Sequence, residues 1–343
     1  MQELHPICLE ASLHETIWGG RKLEQAAGKR LPIGDVPIGE SWETEVSTVA
    51  QNGPYAGKTL GELVDLLGAD LLGAHALAVF GQRFPLLAKF IDAKTKLSVQ
   101  VHPEDEYAAL HEGGKLGKTE YWYILATEPG ASIVHGFRAP STRAEVQQAI
   151  AEVRLEELMH EEPVAPGDVV FVPAGTVHAI GGGVLLYELQ EYSDVTYRMY
   201  DYGRLDTQGR PRELHIERSL DVTKYEPSPR VKSRAVTLVE TADYTERCLV
   251  ASRYFVTREF VLRSHLAGQT AGSCVILSSL AADLRVFYGA SLEQSESLTR
   301  GQTMVLPAAL GNYRVEGTGA FLSSYVPASD DAAWRLWREQ NSY

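Results

Sequence analysis

The amino-acid sequence predicts a mainly β protein, in which a β-barrel with a few helices is followed by a smaller β-rich domain. Short apolar runs of strand length recur between turn residues, and helical spacing is confined to a few segments. The 343 residues exceed the size at which one hydrophobic core usually stops growing, so two cores, or one large and one small, are expected. The hydrophobic fraction of 44% and charged fraction of 22% are typical of a globular chain.

Charge and cysteine content exclude several classes of protein. The net charge of −13 argues against nucleic-acid binding, which needs a basic face to displace counterions from phosphates. The three cysteines, Cys8, Cys248 and Cys274, have no ligand-like spacing and predict neither a disulfide framework nor a zinc knuckle. No apolar run reaches the roughly 18 residues of a membrane helix, and the N-terminus does not resemble a signal peptide. We therefore expect a cytoplasmic protein with no nucleic-acid or membrane partner.

The first half of the chain alternates predicted strands with short helices. A strand is expected over 43–49, and one or two short helices over 60–80, where Gly68 and Gly73 interrupt the leucine spacing. Residues 84–93 and 96–103 are predicted to form a hairpin, and a short helix should follow over 104–114. The most regular helical pattern covers 141–161. Strands are expected again after residue 161, as in an antiparallel sheet.

A change in the sequence pattern beyond about Arg212 predicts a domain boundary. Pro227 and Pro229 flank a linker, and many short strand-like pieces follow it, before a final amphipathic helix over 330–340. We expect a metal-binding catalytic domain over 1–225 and a smaller β-rich domain over 226–343. The second domain has no comparable cluster of His, Glu and Asp, so its expected role is structural or interfacial.

Four residues form a predicted metal site. In Gln100-Val101-His102, alternate residues of one strand point to the same face, so both side chains can reach one ion. Glu120 precedes the next strand, and His178 follows a Pro-Ala-Gly turn. This mixed O/N set suits a borderline divalent ion such as zinc, with manganese, cobalt or iron as alternatives, and it leaves a position for water or substrate. The other histidines, including His135, are interpreted as core or surface residues.

Several motifs, in order, resemble the type I phosphomannose isomerase family in its short bacterial form. They are IWGG at 17–20, GESW at 39–42, FPLLAKFIDAKTKLSVQVHPEDEYA at 84–108, GKTEYWYIL at 117–125, GDVVFVPAGTVHAIGGGVLLYELQ at 167–190 and SDVTYRMYDYGR at 193–204. The resemblance implies a cupin-type jelly-roll barrel that holds one zinc ion and interconverts mannose 6-phosphate and fructose 6-phosphate. The family's ligand pattern falls on the same Gln100, His102, Glu120 and His178.

The resemblance also implies roles around the substrate. It places Arg198 at the substrate with Asp194 as an acidic partner, Lys118 in the active site, and Ser98 beside the metal strand. As a hypothesis, Arg198 stabilises an enediolate, and Lys118 with Asp194 serves proton transfer or ring opening. Ser98, Lys118 and Arg198 are the expected substrate contacts. The expected partner is a sugar phosphate, and the oligomeric state is left as monomer or dimer.

Two other functions remain open at this level. A non-catalytic sugar-phosphate-binding cupin would keep the metal pocket, but it would not need Lys118, Asp194 and Arg198 to face the metal. A metal-dependent cupin dioxygenase would bind iron through two histidines and one carboxylate, which His102, Glu120 and His178 can supply. Gln100 as a fourth ligand favours the isomerase.

Overall fold

The computed structural model describes residues 4–205, 209–270 and 272–341, and within these ranges strands outnumber helices. The helices are α1 (Lys22–Ala27), α2 (Leu60–Leu67), α3 (Ala69–Phe80), α4 (Asp105–His111), α5 (Arg143–Ala151), α6 (Ile216–Val222) and α7 (Ala332–Gln340). The strands of the first part of the chain are β1 (Ile7–Cys8), β2 (Ser12–Gly20), β3 (Ile38–Trp42), β4 (Leu86–Ala93), β5 (Val99–Val101), β6 (Glu120–Thr127), β7 (Ser132–Phe137), β8 (Met159–Pro163), β9 (Val169–Val172), β10 (His178–Ile180), β11 (Val184–Glu191), β12 (Tyr197–Tyr200) and β13 (Lys232–Ser233). The remaining strands are β14 (Val236–Glu240), β15 (Tyr244–Ala251), β16 (Val256–Leu262), β17 (His265–Gln269), β18 (Val275–Ser279), β19 (Asp283–Tyr288), β20 (Gln294–Leu298), β21 (Thr303–Leu306) and β22 (Asn312–Tyr325).

Two antiparallel sheets form the barrel that carries the predicted metal site. One has seven strands in the order β13-β9-β6-β11-β4-β2-β3, and the other has five in the order β12-β5-β10-β7-β8. Buried side chains from both sheets fill the space between them, among them Ile91, Trp122 and Leu186 from the first sheet and Ile133 and Ile180 from the second. The prediction of a mainly β, barrel-type fold is therefore confirmed.

The predicted hairpin between residues 84–93 and 96–103 is wrong. Both segments contain strands, β4 and β5, but β4 pairs with β11 and β3 in the seven-stranded sheet, whereas β5 pairs with β10 and β12 in the other. The chain between them crosses from one sheet to the opposite one. The prediction of a strand over 43–49 is also wrong, since the strand β3 ends at Trp42. The side chain of Glu43, the next residue, is buried and binds Lys29.

The helical predictions are confirmed in kind and corrected in length. Residues 60–80 form α2 and α3 with a break at Gly68, and residues 104–114 contain α4. The helix predicted over 141–161 is α5, with Thr142 and Glu145 forming a capping box at its start, followed by a separate 3-10 turn over Leu155–Glu157. It ends early because Val153 adopts a φ of 57°, and the chain then enters β8, which pairs with β7.

A third sheet, of ten strands, contains β14 to β22 and covers the outer face of the seven-stranded sheet. One continuous core joins the two, with Phe90, Tyr121 and Tyr187 from the barrel beside Leu249 and Phe255 from the second half. The two halves also exchange edge strands, since β1 pairs with β21 and β13 pairs with β9. The division into 1–225 and 226–343 stays a prediction.

Among the described residues, no single helix is long and apolar enough to cross a membrane. The helices Leu60–Leu67 and Ala69–Phe80 reach the length and apolar composition of a membrane span only when they are counted together, and they are bent by 91° relative to each other.

Candidate metal centre and active site

Two histidines and one glutamate converge between the two barrel sheets. Glu120 begins β6, His178 begins β10, and His102 directly follows β5, so the three residues come from three separate strands. The Nε2 atom of His178 lies 3.3 Å from Oε1 of Glu120, and Nε2 of His102 lies 3.5 Å from its Oε2. All three side chains are buried, and their ligand atoms lie within 4.8 Å of one another. The sequence predicted this convergence.

Backbone carbonyls orient both imidazoles toward the glutamate. Nδ1 of His102 lies 2.9 Å from the Val195 oxygen, and Nδ1 of His178 lies 2.8 Å from the Thr176 oxygen. A carbonyl accepts a hydrogen bond, so Nδ1 carries the proton in each ring and Nε2 keeps its lone pair. Burial lowers the pKa of His102, and it lowers that of His178 to about 3, so both rings are neutral as metal ligands require.

Gln100 lies in register with His178. It is the direct antiparallel partner of His178 on one side and of Arg198 on the other. Directly opposed residues of an antiparallel pair project from the same face of the sheet. Gln100 and Arg198 therefore project from the face that carries His178, as the prediction of a fourth oxygen ligand and a nearby cation requires.

The cluster has the chemistry of a cation site. Oε1 of Glu120 and Nε2 of His178 are buried and have no hydrogen-bond partner among the described residues. Burial, and then the negative charge of Glu188, raises the pKa of Glu120 to about 7. A divalent cation would satisfy these atoms and stabilise the carboxylate, because buried polar groups without partners are costly. The residues present therefore fit a divalent metal ion.

Lys118 lies directly against this cluster. Its Nζ is 2.7 Å from Oε2 of Glu120 and 3.1 Å from Nε2 of His102, and only 5% of the residue is exposed. A buried ammonium between a carboxylate and an imidazole is placed to exchange a proton with anything bound at the metal position. The sequence prediction that Lys118 accompanies the ligands agrees with this position.

The other predicted site residues have different surroundings. Ser98 is buried just before β5, on the same alternation as Gln100. The guanidinium of Arg198 donates to the Glu213 carbonyl at 2.8 Å, and its Nε is buried without a partner in the described chain. Asp194 is exposed, and its carboxylate binds Nζ of Lys115 at 2.7 Å. The structure thus brings Lys118 to the ligands and Arg198 to their sheet face, but it pairs Asp194 with a surface lysine.

Two charged residues of the site were missed. Glu188 on β11 lies opposite Lys89 on β4, with Nζ of Lys89 3.4 Å from Oε1 of Glu188 and 3.5 Å from Oε2 of Glu40. Nε1 of Trp122 donates to the other oxygen of Glu188 at 3.0 Å. Each is a charged residue in a fully buried and mostly apolar strand, VLLYELQE or LLAKFIDA, and a charge among apolar residues is visible in the sequence.

His135 was interpreted as a core or surface residue. It is buried and lies in register with His178 on the neighbouring strand β7. Its Nε2 lies 2.9 Å from the Phe171 carbonyl, and its Nδ1 has no hydrogen-bond partner within the described ranges. A core position is thus correct, although the residue borders the site.

The chain resembles known proteins over nearly its whole length. The model of the phosphomannose isomerase type I catalytic domain matches residues 7–128. The mannose-6-phosphate isomerase ManA of Bacillus subtilis is 36% identical over 329 residues, which cover 94% of this chain and 99% of that protein. The chain belongs to the type I phosphomannose isomerase family. A mannose-6-phosphate isomerase of Streptococcus mutans is also 36% identical, over 93% of this chain and 98% of its own length.

Solved structures agree with this membership in the phosphomannose isomerase family. The crystal structure of the Bacillus subtilis mannose 6-phosphate isomerase aligns with a TM-score of 0.83 at 34% identity, covering 93% of this chain and 99% of that one. A putative mannosephosphate isomerase from Archaeoglobus fulgidus has the same fold, with a TM-score of 0.75 at 20% identity. The fold inferred from the resemblance, a cupin-type barrel with a second β-rich part, is therefore that of phosphomannose isomerases.

Proposed function

We propose that the protein is a mannose-6-phosphate isomerase, which interconverts mannose 6-phosphate and fructose 6-phosphate. The observation that carries this proposal is the buried set of His102, Glu120 and His178 with Nζ of Lys118 against it. This set places a candidate cation site within hydrogen-bond distance of an amine that could transfer a proton, in a chain of the phosphomannose isomerase family. We also propose a cytoplasmic location, which the free state of Cys8, Cys248 and Cys274 supports.

The proposed cofactor is one Zn²⁺ ion, held by Gln100, His102, Glu120 and His178. Two imidazoles, a carboxylate and an amide oxygen form a donor set that zinc accepts while keeping a position for substrate. When bound, the ion supplies a Lewis acid for the oxygens of the sugar.

The roles proposed for the protein residues are proton transfer and stabilisation of a negative charge. Aldose–ketose isomerisation moves a proton between C1 and C2 through an enediolate. Lys118, between Glu120 and His102, would move that proton, and the guanidinium of Arg198 would stabilise the negative charge. Ser98 would contact the substrate at the start of β5. The role of Asp194 in proton transfer stays a prediction, and its pairing with Lys115 gives that role no support.

The two alternative functions are less well supported. A sugar-phosphate sensor has no need for Lys118 within hydrogen-bond distance of two metal-site residues. A dioxygenase is not among the relatives described above, which are named as isomerases.

The direct test is conversion of mannose 6-phosphate by the purified protein before chelation, after chelation and after zinc is restored. We expect zinc-dependent turnover that His102→Ala abolishes. Metal content is measured in parallel by mass spectrometry, with other divalent ions as competitors. A folded, zinc-loaded protein without turnover would favour the sensor, and oxygen consumption would favour the dioxygenase.

A further inference from the structure

Three consecutive backbone amides around Lys118 are all held by hydrogen bonds. The Gly117 amide donates to Oδ1 of Asp105 at 2.9 Å, and the Lys118 amide donates to the Pro103 carbonyl at 3.1 Å. The Thr119 amide donates to Oε1 of Glu191 at 2.8 Å. Two of these acceptors are carboxylate side chains, one on each side of Lys118.

Gly117 packs closely against the backbone at the start of α4. A Cβ atom at this position would lie 2.6 Å from the Asp105 amide nitrogen. A side chain at this position would therefore clash with the start of α4, so the glycine lets the backbone before Lys118 lie directly against Asp105.

The second half of the chain supports Asp105. The Tyr254 hydroxyl, in the loop between β15 and β16, donates to Oδ2 of Asp105 at 2.7 Å. Arg253 lies 3.4 Å from the same oxygen and also binds the Tyr254 hydroxyl. Tyr254 is 8% exposed, so this contact belongs to the packed interface between the two halves.

Glu191, which accepts a hydrogen bond from the Thr119 amide, is buried. The residue is 1% exposed, and its Oε2 has no hydrogen-bond partner among the described residues. Burial, and then the nearby Asp105, raises the pKa of Glu191 to about 8. A protonated Glu191 can still accept from the Thr119 amide through Oε1. A glutamine has the same shape and the same acceptor, so Glu191→Gln preserves this bond.

We propose that Asp105 and Glu191 are positioning residues that hold Lys118 against the metal ligands, and that Tyr254 makes the second half of the chain part of this support. This inference rests on the proposed function, which gives Lys118 the proton-transfer role. It assigns a catalytic purpose to a half of the chain that contributes none of the proposed ligands or substrate contacts.

The matched control is another interdomain tyrosine. The Tyr123 hydroxyl donates to Oε1 of Glu259 at 2.7 Å, the same length as the Tyr254 bond, and Tyr123 is also 8% exposed. It joins the two halves on the outer face of the seven-stranded sheet and does not touch residues 117–119 in the described contacts. Tyr123→Phe therefore removes an equivalent bond without affecting the support of Lys118.

The experiment compares Tyr254→Phe, Tyr123→Phe, Glu191→Ala and Glu191→Gln in steady-state kinetics of the zinc-loaded full chain. We expect Tyr254→Phe to lower kcat about 10-fold and Glu191→Ala up to about 100-fold, with KM changed little, because displacements of about 1 Å have such effects. Tyr123→Phe and Glu191→Gln should keep kcat within about threefold of the parent. Zinc content should be equal in all variants.

Hydrogen exchange of the peptide covering 115–121 tests the same proposal without turnover. Exchange at Gly117 and Thr119 should accelerate in Tyr254→Phe and Glu191→Ala but not in the two controls. Unchanged kcat and exchange in Tyr254→Phe, or an equal loss in Tyr123→Phe, would overturn the proposal. If the parent protein shows no isomerase activity, the proposed function fails, and the exchange pattern alone decides whether these residues hold the segment.

Discussion

Lys118 has a position that few lysines occupy, since its Nζ is buried between a carboxylate and an imidazole. Lys118→Met retains the length of the side chain and removes the proton. We expect kcat to fall by about 10² to 10⁴, the usual contribution of a general acid–base group, with zinc content retained. Steady-state kinetics and metal analysis measure both quantities. Lys22→Met, at an exposed lysine paired with Glu128, is the control and should leave kcat unchanged.

Glu191 makes a pH-dependent contribution to stability whose sign follows from its raised pKa. In the folded protein its pKa rises from 4.5 to about 8 because of burial and Asp105. Between these values the folded state keeps a proton that the unfolded state has lost, so stability decreases as the pH rises through this interval. For one proton the slope is at most about 1.4 kcal/mol per pH unit.

Glu191→Gln should remove this slope, since glutamine does not titrate. Urea unfolding at several pH values between 5 and 8 measures it, and the variant should gain stability relative to the parent as the pH rises. Parallel curves for the two proteins would show that Glu191 titrates normally in the fold.

Whether a site residue could be predicted depends on whether its neighbours in the site are also close to it in sequence. The expectation that Gln100 and His102 face one ion rests on strand alternation, which is a local property. The expectation that Lys118 lies near Glu120 rests on a family motif that contains both. The contact between Lys89 and Glu188 depends on the pairing of β4 with β11, which are far apart in sequence. No local pattern specifies that register.

At the scale of elements, the proposed metal ligands come from both barrel sheets. Glu120 starts a strand of the seven-stranded sheet, while His178 starts a strand of the five-stranded sheet and His102 directly follows another. The sequence predicted these strands, but it predicted β4 and β5 as a hairpin. A short apolar run does not reveal whether the chain turns back or crosses to an opposite sheet, because the choice depends on distant partners.

A metal ion bound to both sheets should stabilise the barrel. Ligand present at 100 times its Kd stabilises the folded state by about 2.7 kcal/mol. We therefore expect chelation to lower the melting temperature by several degrees, and added zinc to restore it. Calorimetry of the parent and of His102→Ala measures this effect, and the variant should be insensitive to chelation. A parent protein with the same melting temperature in both conditions would contradict a metal link between the sheets.

At the scale of the whole molecule, the two halves share one hydrophobic core. The outer face of the seven-stranded sheet packs Phe90, Tyr121 and Tyr187 into a core shared with the second half. The exchanged edge strands β1 and β13 reinforce this union. Composition and proline content predicted a boundary near residue 225, but they contain no information on which surfaces the two halves bury together.

This shared core predicts that residues 1–225 do not fold alone. Without the second half, the aromatic face of the seven-stranded sheet would be exposed to water, β1 and β9 would each lose an edge partner, and Asp105 would lose Tyr254. We expect the 1–225 fragment to be insoluble or to bind zinc without a cooperative melting transition, whereas the full chain should unfold in a single calorimetric transition. Co-expression of 226–343 as a separate chain should restore solubility, because the apolar face regains its cover. A soluble 1–225 fragment that melts cooperatively and binds zinc would show instead that the barrel is an independent domain.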